Sequence, residues 1–247
     1  MTTQSKIEWT EQTWNPTTGC TKISPGCKYC YAETMAKRLQ AMGAPGYENG
    51  FELNLQPTRL QQPLRRRKPT VYFVNSMSDL FHEAVPDTFL DAVFDIISQT
   101  PQHTFQILTK RSERLPDYFS GKRCPDNVWL GVSVEDRQYG LPRIDHLRKV
   151  DAKVRFLSIE PLLENLGKLN LEAIHWVIVG GESGPKARPM APEWVDNVRR
   201  QAVEAGVAFF FKQWGTWGAD GVKRAKQNNG RELNGRLWNE YPLAVSI

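Results

Sequence analysis

Cys20, Cys27 and Cys30 fall within eleven residues, in the pattern C-x6-C-x2-C. Three thiolates on one loop can bind three irons of a cubane [4Fe–4S] cluster and leave the fourth iron open. Ser24-Pro25-Gly26 is turn chemistry that folds the longer arm back, so that Cys20 reaches the same centre. The loop runs into a helical stretch at Glu33, whose first amides would offset negative charge on a cluster. Two other readings stay open. One is a zinc site with His82 or another group as fourth ligand, although no second C-x2-C or H-x3-H is present. The other is a redox pair at Cys27 and Cys30, which leaves Cys20 unexplained. Cys124, in Lys122-Arg123-Cys124-Pro125, reads as a surface-loop thiol.

The elements that position this loop recur as a unit: an apolar run, a polar cluster at its end, then a helical stretch. The runs are 71–74, 105–108, 128–134, 154–159, 174–180 and 207–211. They are short, rich in β-branched and aromatic residues and nearly continuous, as strands buried on both faces are. Between them, 88–98 groups Phe89, Val93, Phe94 and Ile97; 33–42 groups Met35, Ala36, Leu39 and Met42; and 192–205 groups Trp194, Val195, Val198 and Ala202, with Gly206 as the expected C′ residue. With a first strand before Cys20, about seven strands alternate with helices. This predicts an α/β fold, a full or partial parallel (βα) barrel over residues 1–213. Residues 214–247 break the pattern and read as an appendage packed on the barrel, with a hairpin turn at Asn234-Gly235.

In a parallel barrel the site forms at the C-terminal strand ends. Here those ends carry 75–79, Thr109-Lys110-Arg111, 133–136, Ser158-Ile159-Glu160-Pro161, Gly181-Glu182-Ser183-Gly184 and Lys212-Gln213, a ring of hydroxyl and charged groups. His82, near a strand end, is a candidate for proton transfer. His103 and His146 show no metal spacing, and His175 reads as a core residue within a strand. Leu64-Arg65-Arg66-Arg67-Lys68-Pro69 is the sharpest basic run. It reads as a solvated lead-in to the strand at Val71, with a phosphate contact as the alternative. Lys223, Arg224, Lys226, Arg231 and Arg236, interleaved with Trp217 and Trp238, suit either a base-stacking surface or a sealed barrel end.

Three cysteines after the first strand of a parallel barrel, with Tyr29 before the last of them, resemble the radical S-adenosylmethionine (SAM) superfamily, although the first gap is six where that superfamily commonly has three. More closely, the chain resembles a phage- and prophage-associated family of three-cysteine, radical-SAM-like proteins. The resemblance rests on Trp14-Asn15-Pro16 through Cys30, the segment 76–82, Leu108-Thr109-Lys110-Arg111, the segments 131–135 and 180–184, and 211–215, and so covers nearly the full length. It implies a [4Fe–4S] cluster on the three cysteines, SAM as second cofactor, and an external electron donor. The cluster would donate one electron to SAM, and the resulting 5′-deoxyadenosyl radical would abstract hydrogen from substrate. It also implies roles. Asn75, Ser76 and Asp79 would accept from the SAM ammonium, and Lys110 or Arg111 would meet its carboxylate. Ser133 or Glu135 would bind the ribose, and Gly181 and Glu182 lie in the segment that would flank the adenine. Tyr29 and Tyr31 would pack beside cluster and adenine.

The bulk composition fits such an enzyme. The 247 residues are 40% hydrophobic and 24% charged, and no window approaches a membrane span. The N-terminal stretch 1–14 lacks the apolar region of a secretory signal, so a cytoplasmic location is expected. A net charge of +5 is compatible with a nucleic acid or nucleotide substrate. Two readings of other classes remain: a zinc-stabilised nucleic-acid-binding protein, and a barrel hydrolase using Glu135, Glu160 and Glu182 as acid and base.

Overall fold

The computed structural model describes residues 7–242; residues 1–6 of the N-terminal reading and 243–247 of the tail lie outside the described residues. The chain forms two compact units, the first comprising residues up to 23, 30–131 and 149–153, the second residues 24–29, 132–148 and 154 onward.

In the first unit, β1 (Gln12–Trp14), β2 (Thr17–Thr18), α1 (Tyr31–Ala41), β3 (Asn54–Leu55), β4 (Val71–Val74), α2 (Asp87–Ser98), β5 (Thr104–Thr109), α3 (Arg114–Tyr118) and most of β6 (Val128–Ser133) follow in order. β1 pairs with β4 and β4 with β5, all parallel, while β2 and β3 form a small antiparallel pair. β4 buries three of its four residues and β5 four of its six, including the polar Gln106 and Thr109. Trp14, Tyr72 and Phe105 pack between them, with Tyr72 stacked on Phe105 at 5.5 Å. α2 turns Leu90, Val93, Phe94 and Ile97 inward; Phe89, expected on that face, is only half-buried.

α1 departs further from its reading. It begins at Tyr31, two residues before the expected start, and buries Ala32 and Ala36 against Tyr47 and Met77, with Leu39 partly covered. Met35 and Met42 point outward, Met42 at 78% exposed. At 100° per residue, positions 32, 36 and 39 form one stripe, and the small alanines let the helix lie close on its support.

The second unit holds α4 (Leu141–Arg148), β7 (Val154–Ile159), β8 (Trp176–Gly180), α5 (Pro192–Glu204), β9 (Ala208–Gln213), α6 (Lys226–Asn229), β10 (Glu232–Leu233) and β11 (Arg236–Leu237). β7 pairs with β8 and β8 with β9 in parallel, and all five residues of β8 are buried. α5 begins with Pro192 in its first turn, where the missing N–H costs nothing, and buries Val195, Val198 and Ala202. β10 and β11 pair antiparallel across Asn234-Gly235, the expected hairpin.

The seven long strands form one sheet in the order β1-β4-β5-β6-β7-β8-β9. Consecutive strands of a parallel sheet, joined by helices except between β7 and β8, give the α/β fold that the sequence predicts. Of the two barrel forms it is the partial one, since the order opens at β1 and ends at β9. No described helix is long and apolar enough to cross a membrane.

Candidate functional site

In the first unit the cysteine loop is built onto the ends of β4 and β5. Gly19 donates its N–H to Met77 O (3.0 Å) and Cys20 donates to Phe51 O (3.0 Å), so backbone pairing fixes both residues. Only glycine fits at 19: its φ is +79°, and a Cβ would lie 1.9 Å from Glu52 O. Cys30 occupies the N-cap position of α1, and the packing of Ala32 and Ala36 anchors that helix.

The polar residues after β4 are largely engaged in holding the chain itself. Asn75, in the left-handed region (φ 60°), accepts from Thr17 N (3.3 Å) and donates to Thr17 Oγ1 (2.9 Å). Ser76 Oγ donates to Asn15 Oδ1 (3.2 Å), and the Ser76 carbonyl accepts from the Tyr31 hydroxyl. Buried Asp79 accepts from Phe81 N and Thr109 Oγ1 at Oδ1 (3.0 and 2.7 Å), and from Lys110 N and Arg111 Nη1 at Oδ2 (2.9 and 3.4 Å).

Arg111 is the hub. Its Nε donates to Glu83 Oε2 (2.7 Å), its Nη1 also reaches Cys20 Sγ (3.3 Å), and its Nη2 donates to Thr21 O (3.0 Å) and Oγ1 (2.7 Å). Desolvation alone would raise the Glu83 carboxyl, but the Arg111 hydrogen bond and charge outweigh it and hold that group at about 2. Desolvation likewise works against the Arg111 cation, and Asp79, Cys20 and Glu83 together overcome it. Lys110, next in the chain, is different: its ammonium has no hydrogen-bond or ion-pair partner among the described residues.

His82 is buried beside this hub. Its Nδ1 accepts from Ala84 N (3.1 Å) and its Nε2 pairs with Thr21 Oγ1 (3.0 Å). Burial, followed by the Arg111 charge, lowers its pKa and keeps the ring neutral. With Nδ1 accepting, Nε2–H is the donor, so neither nitrogen is open to a metal.

In the second unit the arm 24–29 carries Cys27 in a short 3-10 turn, Pro25–Cys27. The Ser24 hydroxyl donates to Glu135 Oε1 and lies 3.7 Å from Cys27 Sγ. Glu135, wholly buried at the end of β6, pairs through Oε2 with Arg143 Nη1 of α4 at 2.5 Å, and Arg143 also donates to Ser133 O (2.8 Å). Arg188 lies over the Tyr29 ring at 5.3 Å and grips Glu182 through Nε (3.0 Å) and Nη2 (2.7 Å). Gly181 donates to Gln213 O (3.0 Å), and Trp214 O takes the space a side chain there would need. Glu160 pairs with Lys212 (2.6 Å).

Arg143, Arg188, Thr21 and Glu83 have no part in the sequence reading. Arg143 lies in the short, mostly polar α4, and its burial is what distinguishes it. Several other readings move. Cys124, read as a surface thiol, is 4% exposed. His175 precedes β8 rather than lying in it; its Nδ1 accepts from Arg155 N (3.0 Å), and burial lowers its pKa. Trp238 is buried with Arg236 and Arg199 over its ring at 3.3 and 5.1 Å, and Trp217 donates to Ala187 O (2.7 Å). Among the described residues, no three His, Cys, Asp or Glu side chains group as a metal site. The three loop cysteines are in no disulfide and half-buried, and soft sulfur ligands of this kind are the donor set that iron–sulfur clusters take.

Residues 4–242 match the family described as protein of unknown function, DUF5131. The chain belongs to that family. No curated protein sequence matches the DUF5131 chain. Among solved structures, a cysteine-to-serine mutant of spore photoproduct lyase is 15% identical, with 87% of this chain and 79% of that one covered at a TM-score of 0.53. A double mutant of the same enzyme with bound AdoMet and dinucleoside spore photoproduct is 14% identical, with the same coverage and a TM-score of 0.50. The chain spans 64% of the length of a third, complexed with dinucleoside spore photoproduct, at 13% identity, 83% coverage of this chain and a TM-score of 0.47. The likeness establishes the fold: the DUF5131 chain has the (βα) barrel type of the radical SAM enzymes.

Proposed function

We propose that this protein is a radical SAM-type enzyme in which Cys20, Cys27 and Cys30 hold a [4Fe–4S] cluster and SAM is the second cofactor. The observation that carries the reading is three cysteines, none in a disulfide, on the loop that follows the first strand of a radical SAM fold. When bound, such a cluster supplies the single electron that breaks a C–S bond of SAM. The chain's own contribution is positional. Arg111 sets the place of Cys20 and a fixed positive charge beside it, and Cys30 sits where α1 begins. The unpartnered Lys110 ammonium is the group for the SAM carboxylate. Asn75, Ser76 and Asp79 offer acceptors at the end of β4, and Ser133, Gly181 and Glu182 offer groups at the ends of β6 and β8.

The substrate reading is a nucleobase or nucleic acid. It draws support from the dinucleoside bound in one of the similar structures and from the net positive charge. An external one-electron donor and a cytoplasmic setting complete it.

The alternatives have less behind them. A zinc site needs a fourth ligand, and His82 has both ring nitrogens engaged. Hydrolysis by Glu135, Glu160 and Glu182 needs carboxyls that can face a substrate, yet each is already engaged in an ion pair, with Arg143, Lys212 and Arg188. Anaerobic purification tests the centre. A brown protein bleached by dithionite is expected, and a colourless one with stoichiometric zinc would refute it. Incubation with SAM and reductant should then release 5′-deoxyadenosine, and a Cys30→Ala variant should release none.

A further inference from the structure

The six-residue gap between Cys20 and Cys27 leaves the middle thiol on a long arm, and something must hold that arm. Three contacts in the second unit do so. Ser24, at the start of the arm, donates its hydroxyl to Glu135 Oε1 and accepts at its carbonyl from Cys27 N (3.0 Å). Gly26 rests against the same carboxylate: a Cβ there would stand 2.8 Å from Oε1 and 2.9 Å from Cδ of Glu135. Tyr29, past Cys27, lies under Arg188. Glu135 is not a flexible stop. It is wholly buried, Arg143 holds its other oxygen at 2.5 Å, and its own carbonyl accepts from Leu163 N (3.0 Å).

We infer that Glu135 is a positioning residue for Cys27, acting through Ser24, with Arg143 as the charge that keeps it in place. This rests on the reading of Cys27 as a cluster ligand. The chemistry fits a buried ion pair more than a ribose ligand. One carboxylate oxygen faces the arm and the other faces a cation, and a charge-assisted hydrogen bond to the hydroxyl holds more firmly than a neutral one. A glycine at 26 lets the backbone press directly on the carboxylate, which a side chain would push away. The arm is therefore fixed on both sides of its cysteine, at Ser24 and at Tyr29, without any metal.

The test uses the metal-free full-length protein under anaerobic conditions at one fixed pH. Alkylation of Cys27 by iodoacetamide is measured by mass spectrometry relative to Cys20 and Cys30 in the same molecule. Ser24→Ala should raise the relative rate at Cys27 about tenfold, the size expected for losing one hydrogen bond to a charged group, and Ser24→Thr should restore it. Gly26→Ala should raise it too. Glu135→Asp, which withdraws the carboxylate from Ser24, should raise it as Ser24→Ala does, and combining these two substitutions should add little further. Wild-type ratios in Ser24→Ala, or strictly additive effects in the double variant, would overturn the inference. So would a rise that extends to buried Cys124, because the whole fold would then have loosened. Iron uptake by the wild type is measured separately: a protein that binds no iron refutes the cluster reading, while the alkylation ratios still decide the role of Glu135.

Discussion

Lys110 and Arg111 are neighbours at the end of β5, and the structure separates their work. Arg111 directs every guanidinium nitrogen at Glu83, Cys20, Asp79 or Thr21, whereas the Lys110 ammonium meets no partner among the described residues. Lys110→Met should therefore weaken SAM binding about tenfold or more, at about 1.5–3 kcal/mol for a lost charged hydrogen bond, and leave iron content unchanged. Arg111→Met should do the reverse and lower iron loading first. Calorimetry of SAM binding beside iron analysis separates the two, and equal effects on both quantities would refute the division. The histidines give a second prediction. Burial lowers the pKa of both His82 and His175, and each holds a backbone N–H through its neutral Nδ1. Below their usual value of about 6.5 the unfolded chain takes up protons that the folded one resists, so stability falls as pH falls through that value. Denaturant melts of the metal-free protein at pH 7.5 and pH 5.5 (about two units spanning that value) should show the loss, and His175→Gln should flatten it.

At the scale of elements, the strands were open to reading because a parallel sheet demands unbroken apolar runs, and 71–74 and 154–159 are strands with those bounds in the structure. The helices were less open. Periodicity locates α1, but with Met35 and Met42 in its pattern it points to the wrong face; the support for α1 is Tyr47 and Met77, which no local pattern reveals. The loop before α1 depends on one backbone feature. At Gly19 a Cβ would strike Glu52 O at 1.9 Å, and the backbone there is left-handed. Gly19→Ala should cost about 2 kcal/mol or more, through strain and displacement of the Cys20 backbone. Met42→Ala, at the exposed C-terminal cap of α1, should stay within about 0.5 kcal/mol. Thermal melts of both variants check the contrast, and a harmless Gly19→Ala would show that the close approach to Glu52 does not constrain the loop.

Across the whole molecule, sequence shows which residues end a strand but not which of them are already engaged. The polar clusters after the strands are plain in the sequence. Yet Asp79, Glu135 and Glu182 turn out to be tied to Arg111, Arg143 and Arg188, and two of those three partners come from segments with no visible signal. Strand direction settles a further question. Arg65, Arg67 and Lys68 are exposed and precede β4, whereas Asn75 to Asp79 follow it. A four-residue strand at about 3.3 Å per residue puts roughly 13 Å between its two ends. The basic run therefore belongs to the edge opposite the polar strand ends, and it should not guide a substrate to them. Arg65→Gln, Arg67→Gln and Lys68→Gln combined should leave 5′-deoxyadenosine release unchanged. The triple variant should also keep the salt dependence of nucleic-acid binding, since each lost phosphate contact would reduce the slope of log K against log salt by about 0.7 to 0.9. A slope reduced by two such steps, measured by fluorescence anisotropy from low to high salt, would place the nucleic acid on this edge and require a path from it to the strand ends.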